Sequence, residues 1–181
     1  MLKTPIKATY QDYLKLPEDS RYELIEGKLL MTPSPFLRHQ SVIAKLYKYL
    51  SQYVDANNLG KIYFAPLDVI LSNETVVQPD ILFVSHQRSS ILRDWVHGAP
   101  DMIVEIISQG SKERDRLIKK SLYEKHGVQE YWMVDLEREF VEALVLKESS
   151  YELLGIFMKE DTLSSPIFQD LKLSVASIFV D

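Results

Sequence analysis

Apolar residues recur along this chain in two periods, and the switches between those periods mark its elements. A Thr9 cap and Pro17 frame a short amphipathic helix predicted over 9–16. The segment 21–31, RYELIEGKLLM, reads as two short strands around a Glu26–Gly27 turn, where glycine supplies a positive φ. In 33–60, Val42, Leu46, Tyr49, Leu50 and Tyr53 return at three- and four-residue spacing, which predicts a long helix ending near Asn58 and Gly60. The period then falls to two. KIYFAPLDVIL (61–71) and VVQPDILFVS (76–85) read as strands about the turn Ser72–Asn73–Glu74, and DMIVEIIS (101–108) as a third. A second helix is predicted over 112–126, closed by Gly127. The strands EYWMVD (130–135), EFVEALVL (139–146) and YELLGIF (151–157) follow, then a C-terminal helix over 175–180. A central apolar strand followed by a helix and another strand predicts an α/β fold with a mixed sheet.

Composition narrows the classes. The 181 residues suit one domain spanning 1–181, with 46% hydrophobic and 26% charged residues, ordinary globular usage. A chain of this size buries roughly 70% of its unfolded surface and needs no metal or disulfide staple to fold. The absence of cysteine excludes disulfides, zinc–thiolate sites, iron–sulfur clusters and thiol nucleophiles. The first twenty residues contain no long apolar run. Nowhere does the sequence approach the roughly 18 apolar residues of a spanning helix, so the expectation is a cytoplasmic protein with no membrane partner. A net charge of −5 argues mildly against a basic nucleic-acid coat, yet 112–125 gathers six basic and three acidic residues. A local basic face can read phosphates on an acidic body.

Two carboxylates stand where apolar side chains are expected. Glu105 sits in the middle of DMIVEIIS, a run reading as a strand buried on both faces, and shares a face with Ile103 and Ile107. A buried carboxylate must be protonated, paired or metal-bound. Asp80 repeats the anomaly in VVQPDILFV, where Pro79 suggests a strand start opening on a cleft. With Glu23 or Glu26 as a third group, they would make a hard-oxygen set for Mg²⁺ or Mn²⁺. The bland alternative is a structural pair with a nearby Lys or Arg for either residue. On the second helix Asp115, Lys119 and Tyr123 are spaced i, i+4, i+8, so one α-helical face holds all three. That face is either a solvated ion pair with an aromatic or a lysine held over the carboxylates.

These strings have a precedent. RYELIEGKLLMTPSP, RHQ, VVQPDILFV, GAPDMIVEIIS and D-x3-K-x3-Y before GVQEYWMVD resemble a restriction-endonuclease-like family abundant in cyanobacteria, within the PD-(D/E)XK nuclease superfamily. The resemblance runs from about Tyr10 to Phe179. It implies a mixed-sheet core flanked by helices, with extra antiparallel strands, and a Mg²⁺-dependent endonuclease acting on DNA, with Mn²⁺ as substitute. Asp80 matches the PD aspartate and Glu105 the acidic residue of the second half-motif. The lysine usually found two positions later is Ile107 here, and Lys119 matches its relocated counterpart, with Lys120 as fallback. Glu23 matches the family's N-terminal acid, and the Ile106 carbonyl is implied as a further metal ligand.

The same resemblance makes Tyr123 and Asp115 supporting residues and gives His39 and Gln40 of RHQ a substrate or metal role. The alternative for His39 and Gln40 is a local backbone contact at a helix start. His86, His97 and Trp95 read as loop residues, and Tyr131–Trp132 as core. A homodimer is the expected assembly, since two-fold symmetry suits cutting two strands. The competing functions are a nuclease-like DNA-binding or regulatory module with weak or lost catalysis, and a nuclease acting on RNA.

Overall fold

The computed structural model describes residues 7–17, 21–107 and 115–179, with the backbone alone at 115 and 116. It is a mixed α/β structure with two principal sheets. The first comprises β3 (Gly60–Phe64), β6 (Ile81–Ser85), β8 (Met102–Ile107), β9 (Glu130–Asp135), β10 (Phe140–Lys147) and β11 (Ser150–Phe157), in the order β11-β10-β9-β8-β6-β3. Only β8 and β9 pair in parallel in this sheet. Parallel neighbours need a crossover, and α3 (Lys120–His126) lies in the connection between them. The second sheet comprises β1 (Tyr22–Ile25), β2 (Lys28–Met31), β4 (Val69–Ser72), β5 (Thr75–Val77) and β7 (Val96–His97). A short pair, β12 (Thr162–Leu163) and β13 (Leu173–Ser174), completes the strands.

Side-chain alternation divides the core into two layers about the six-stranded sheet. On one face Met102, Val104, Ile106, Trp132 and Val134 pack against Val42, Ile43, Leu46, Leu50 and Val54 of α2 (Leu37–Ala56) and the C-terminal segment. On the other, Ile103, Ile107, Tyr131 and Met133 meet Leu122 and Tyr123 of α3 and Ile25, Val69, Val77 and Val96 of the second sheet. Each fully buried leucine here contributes about 1.5–3 kcal/mol. The predicted long helix is α2, with Asn58 beyond its end at φ 48°. Tyr49 and Tyr53 lie toward its edge, where their phenols donate to the carbonyls of Lys172 and Gln169.

Several expectations need correction. The predicted strand 61–71 is two strands in different sheets, β3 and β4, and 76–85 is likewise β5 and β6. Pro66 and Pro79 lack the N–H a continuous ladder needs, so the chain leaves one sheet and enters the other at each. The Ser72–Glu74 turn therefore joins only β4 to β5. The first helix is a single turn, α1 (Tyr10–Tyr13), and the last is α4 (Ala176–Phe179). The predicted helix over 112–126 is described from Asp115 onward, where Asp115–Lys119 form a π-helical turn before α3. The Glu26–Gly27 hairpin is as expected, with both residues at positive φ.

Candidate active site

Glu105 occupies the middle of β8, 6% exposed, on the face that carries Ile103 and Ile107. Its Oε1 accepts from Lys119 Nζ at 2.9 Å and from the Tyr123 hydroxyl at 2.6 Å. Burial pushes its carboxyl up to about 8. The Lys119 ammonium opposes that rise, and the negative charges of Asp80 and Glu23 add to it. The group is thus poised between neutral and charged forms near neutral pH, because burial outweighs its cation. Tyr123→Phe should remove one of its two donors and cost about 1–2 kcal/mol, read from a urea midpoint without metal. An unchanged midpoint would show that the hydroxyl contributes nothing to the fold.

Lys119, 6% exposed, also reaches Glu23 Oε1 at 3.0 Å. Glu23 is buried in β1 of the other sheet, and the same oxygen accepts the Gln78 main-chain N–H at 3.0 Å. One buried ammonium therefore links carboxylates from both sheets. Asp115–Lys119 form a π-helical turn that leads into α3. The side chains of Lys119 and Tyr123 meet at Glu105 Oε1. Of the expected three-residue face, Lys119 and Tyr123 are seen together. The side chain of Asp115 lies outside the described residues. Lys120 is partly exposed, and the contacts to Glu23 and Glu105 belong to Lys119.

Asp80 follows Pro79 immediately before β6. One step beyond the Ile81↔Val104 pair, the antiparallel register places it across from Glu105. Its Oδ2 accepts the Ile106 N–H at 2.7 Å and lies 3.3 Å from His39 Nε2. The Ile106 main chain thus meets Asp80 through its N–H. His39 is in the first turn of α2, and its buried Nδ1 has no partner among the described residues. Gln40 is exposed and takes no part in these contacts. Arg38 turns away to Glu139, at 2.6 Å. Glu26 pairs with Lys125 at the surface, leaving Glu23 as the third acid of the cluster. His86 faces Asn58, Trp95 is 40% exposed, and Tyr131 and Trp132 are core as expected.

Glu105, Glu23 and Asp80 each use one oxygen for the bonds above, and the other has no hydrogen-bond partner among the described residues. Carboxylate oxygens fit Mg²⁺ or Mn²⁺ in kind. Among the described residues no group of three or more His, Asp or Glu side chains is arranged to hold a metal ion, so the fit is one of donor type alone. Glu130 gives the contrast. It is as buried as Glu105, and burial likewise raises its carboxyl, but its partners are Trp132 Nε1, the Ser165 hydroxyl and the Ile167 N–H. Neutral donors on the C-terminal segment make it a structural carboxylate. Sequence reasoning did not single it out, nor Gln78, whose main-chain N–H holds Glu23; a main-chain contact leaves no signature in residue type.

Comparison with known proteins gives a family and a fold. The family model described as Uma2, putative restriction endonuclease, matches residues 10–176. No curated protein matches the chain. Among solved structures it is similar to a putative nuclease belonging to DUF820 from Anabaena variabilis. That similarity has a TM-score of 0.80 and 22% identity, and covers 97% of this chain and 98% of that one. Among the described residues no helix is long and apolar enough to cross a membrane.

Proposed function

From the premise that this chain belongs to the Uma2 family of putative restriction endonucleases, we propose that it is a metal-dependent endonuclease that hydrolyses DNA phosphodiester bonds. The observation that carries the reading is the convergence of Glu23, Glu105 and Lys119, from three separate elements, on one buried point beside Asp80. A fold alone gains little from such a group. It matches the constellation expected of a PD-(D/E)XK nuclease whose lysine has moved to the helix.

Asp80, Glu105 and Glu23, with the Ile106 carbonyl, would hold Mg²⁺ or Mn²⁺. When bound, that ion supplies a lowered water pKa and positive charge against the phosphoryl oxygens. The protein's own groups do the positioning. Lys119 is placed to orient the attacking water and lend charge to the phosphoryl group. Tyr123 fixes the Glu105 oxygen that Lys119 shares, and so sets the direction of the ammonium. His39, beside Asp80, would face a substrate phosphate. By resemblance alone, Gln40 is assigned to the substrate side and Asp115 to the support of Lys119. Nothing in the scheme requires a covalent intermediate. Cutting both strands of a duplex calls for a second copy of the chain, and a cytoplasmic setting accords with a DNA substrate.

The test is a calorimetric titration of Mn²⁺ into the wild type and into Asp80→Asn. Binding in the wild type that is weakened at least about tenfold in the variant supports the metal cleft and justifies a screen across many DNA substrates. Identical heats from both proteins up to millimolar metal would overturn the metal-dependent reading and leave a nucleic-acid-binding or regulatory module.

A further inference from the structure

The chain passes between its two principal sheets at two neighbouring places. The 65–68 segment carries it from β3 to β4, and the 78–80 segment from β5 to β6. The candidate site straddles the same divide, with Glu23 on the second sheet and Glu105 on the first. Its geometry therefore depends on how the two crossings are held together.

They are held by a small polar network that the proposed chemistry does not use. Asp68 Oδ1 accepts from the Gln78 side-chain amide at 2.8 Å and from the Tyr13 hydroxyl at 3.0 Å. Burial and the Asp68 charge push the Tyr13 phenol well above its usual range, so it remains a donor. The Asp68 carbonyl accepts from Val96, and the Ala65 N–H donates to the Asp80 carbonyl at 3.0 Å, so the two crossings are also tied through the main chain. Gln78 is the joint. Its side chain is anchored on Asp68, its main-chain N–H holds Glu23 Oε1, and two residues later Asp80 accepts the Ile106 N–H.

We propose that Asp68 and Gln78 are positioning residues that lock the two sheet crossings and thereby aim Glu23 and Asp80 at the Glu105–Lys119 pair. The proposal rests on the nuclease reading only for its metal arm. Asp68 acts at a remove, through Gln78 and through Tyr13, whose hydroxyl also lies 3.3 Å from the Tyr22 carbonyl next to Glu23. A polar side chain that only satisfied a turn would leave the acids where they are.

The experiment compares the wild type with Gln78→Ala, Asp68→Ala, Asp68→Asn and the distant Ser165→Ala, by amide hydrogen exchange without metal and by Mn²⁺ calorimetry. In Gln78→Ala and Asp68→Ala, the amides of residue 78 and Ile106 are expected to exchange at least about tenfold faster while the other amides of β8 and β9 hold. Mn²⁺ affinity should fall about 10–100-fold in both. Asp68→Asn keeps an acceptor oxygen and should stay near the wild type. Ser165→Ala should lower the melting temperature without changing either local readout. The proposal is overturned if Gln78→Ala lowers the melting temperature with unchanged exchange at 78 and 106 and unchanged Mn²⁺ affinity. A wild type that takes up no Mn²⁺ would sink the metal-dependent reading, and the exchange data would still decide the positioning role.

Discussion

Lys119→Ala is expected to lose about 3–5 kcal/mol of metal-free stability near pH 8. Cleavage should fall by about 10²–10³-fold or more. A lysine wanted only for chemistry would be removable without harm to the fold. This one is 6% exposed and bonded to Glu105 at 2.9 Å and Glu23 at 3.0 Å, so its loss strands two buried carboxylates beside each other. Without the ammonium the Glu105 carboxyl, already up at about 8, rises further, so the deficit against wild type should grow as pH rises from 7 to 9 and level off below 7. Urea midpoints at the two pH values measure this directly. Lys120→Ala should stay within about 0.5 kcal/mol of wild type, since it is partly exposed and outside the cluster. Cleavage that survives Lys119→Ala and fails in Lys120→Ala would move the catalytic role one residue along. A Lys119→Ala protein as stable as the wild type at pH 8 would mean the ammonium is not held as described.

Glu105→Gln is expected to do the opposite to stability while abolishing metal binding. The folded carboxyl titrates at about 8, above the ordinary 4.5. A group whose folded pKa is raised contributes its full stability below the unfolded value and loses it as pH rises through the folded one. The wild type without metal should therefore weaken steadily between about pH 5 and 9. Glutamine removes that dependence. Its carbonyl still accepts from Lys119 and Tyr123, so the two proteins should match near pH 5. By pH 9 the variant should lead by on the order of a few kcal/mol. Denaturant midpoints in a chelator at pH 5, 7 and 9 give the comparison, and Mn²⁺ calorimetry gives the cost in affinity. A variant weaker by several kcal/mol at every pH would make Glu105 a structural ion-pair acceptor.

These two residues also show how legible the site was. Glu105 announced itself, because a carboxylate inside MIVEII conflicts with its own neighbours, and that conflict is local. Lys119 could be nominated by resemblance but not told apart from a solvated lysine by spacing. Its inward direction shows only in its contacts with Glu23 and Glu105, which lie far from it in the chain. Glu130 was missed because EYWMVD reads as an ordinary strand end, and besides Trp132 its donors, Ser165 and Ile167, lie far along the chain.

The sequence alone determined what short-range physics decides. The period of apolar positions set the helix α2 and the strands of the core, and the Glu26–Gly27 turn set the first hairpin. Pro79 marked the start of a strand, Asp80 and Glu105 stood out as carboxylates among apolar neighbours, and the absence of cysteine removed whole classes of chemistry. The tertiary structure decided the rest: that 61–71 and 76–85 divide between two sheets, that Glu23 comes from one and Glu105 from the other, and that Gln78 and Asp68 tie them. The reason is distance along the chain. Periodicity reports on neighbours within a few residues, whereas Glu23 and Gln78 are 55 apart and Asp80 and Ile106 are 26 apart, so their meeting depends on how whole strands pair.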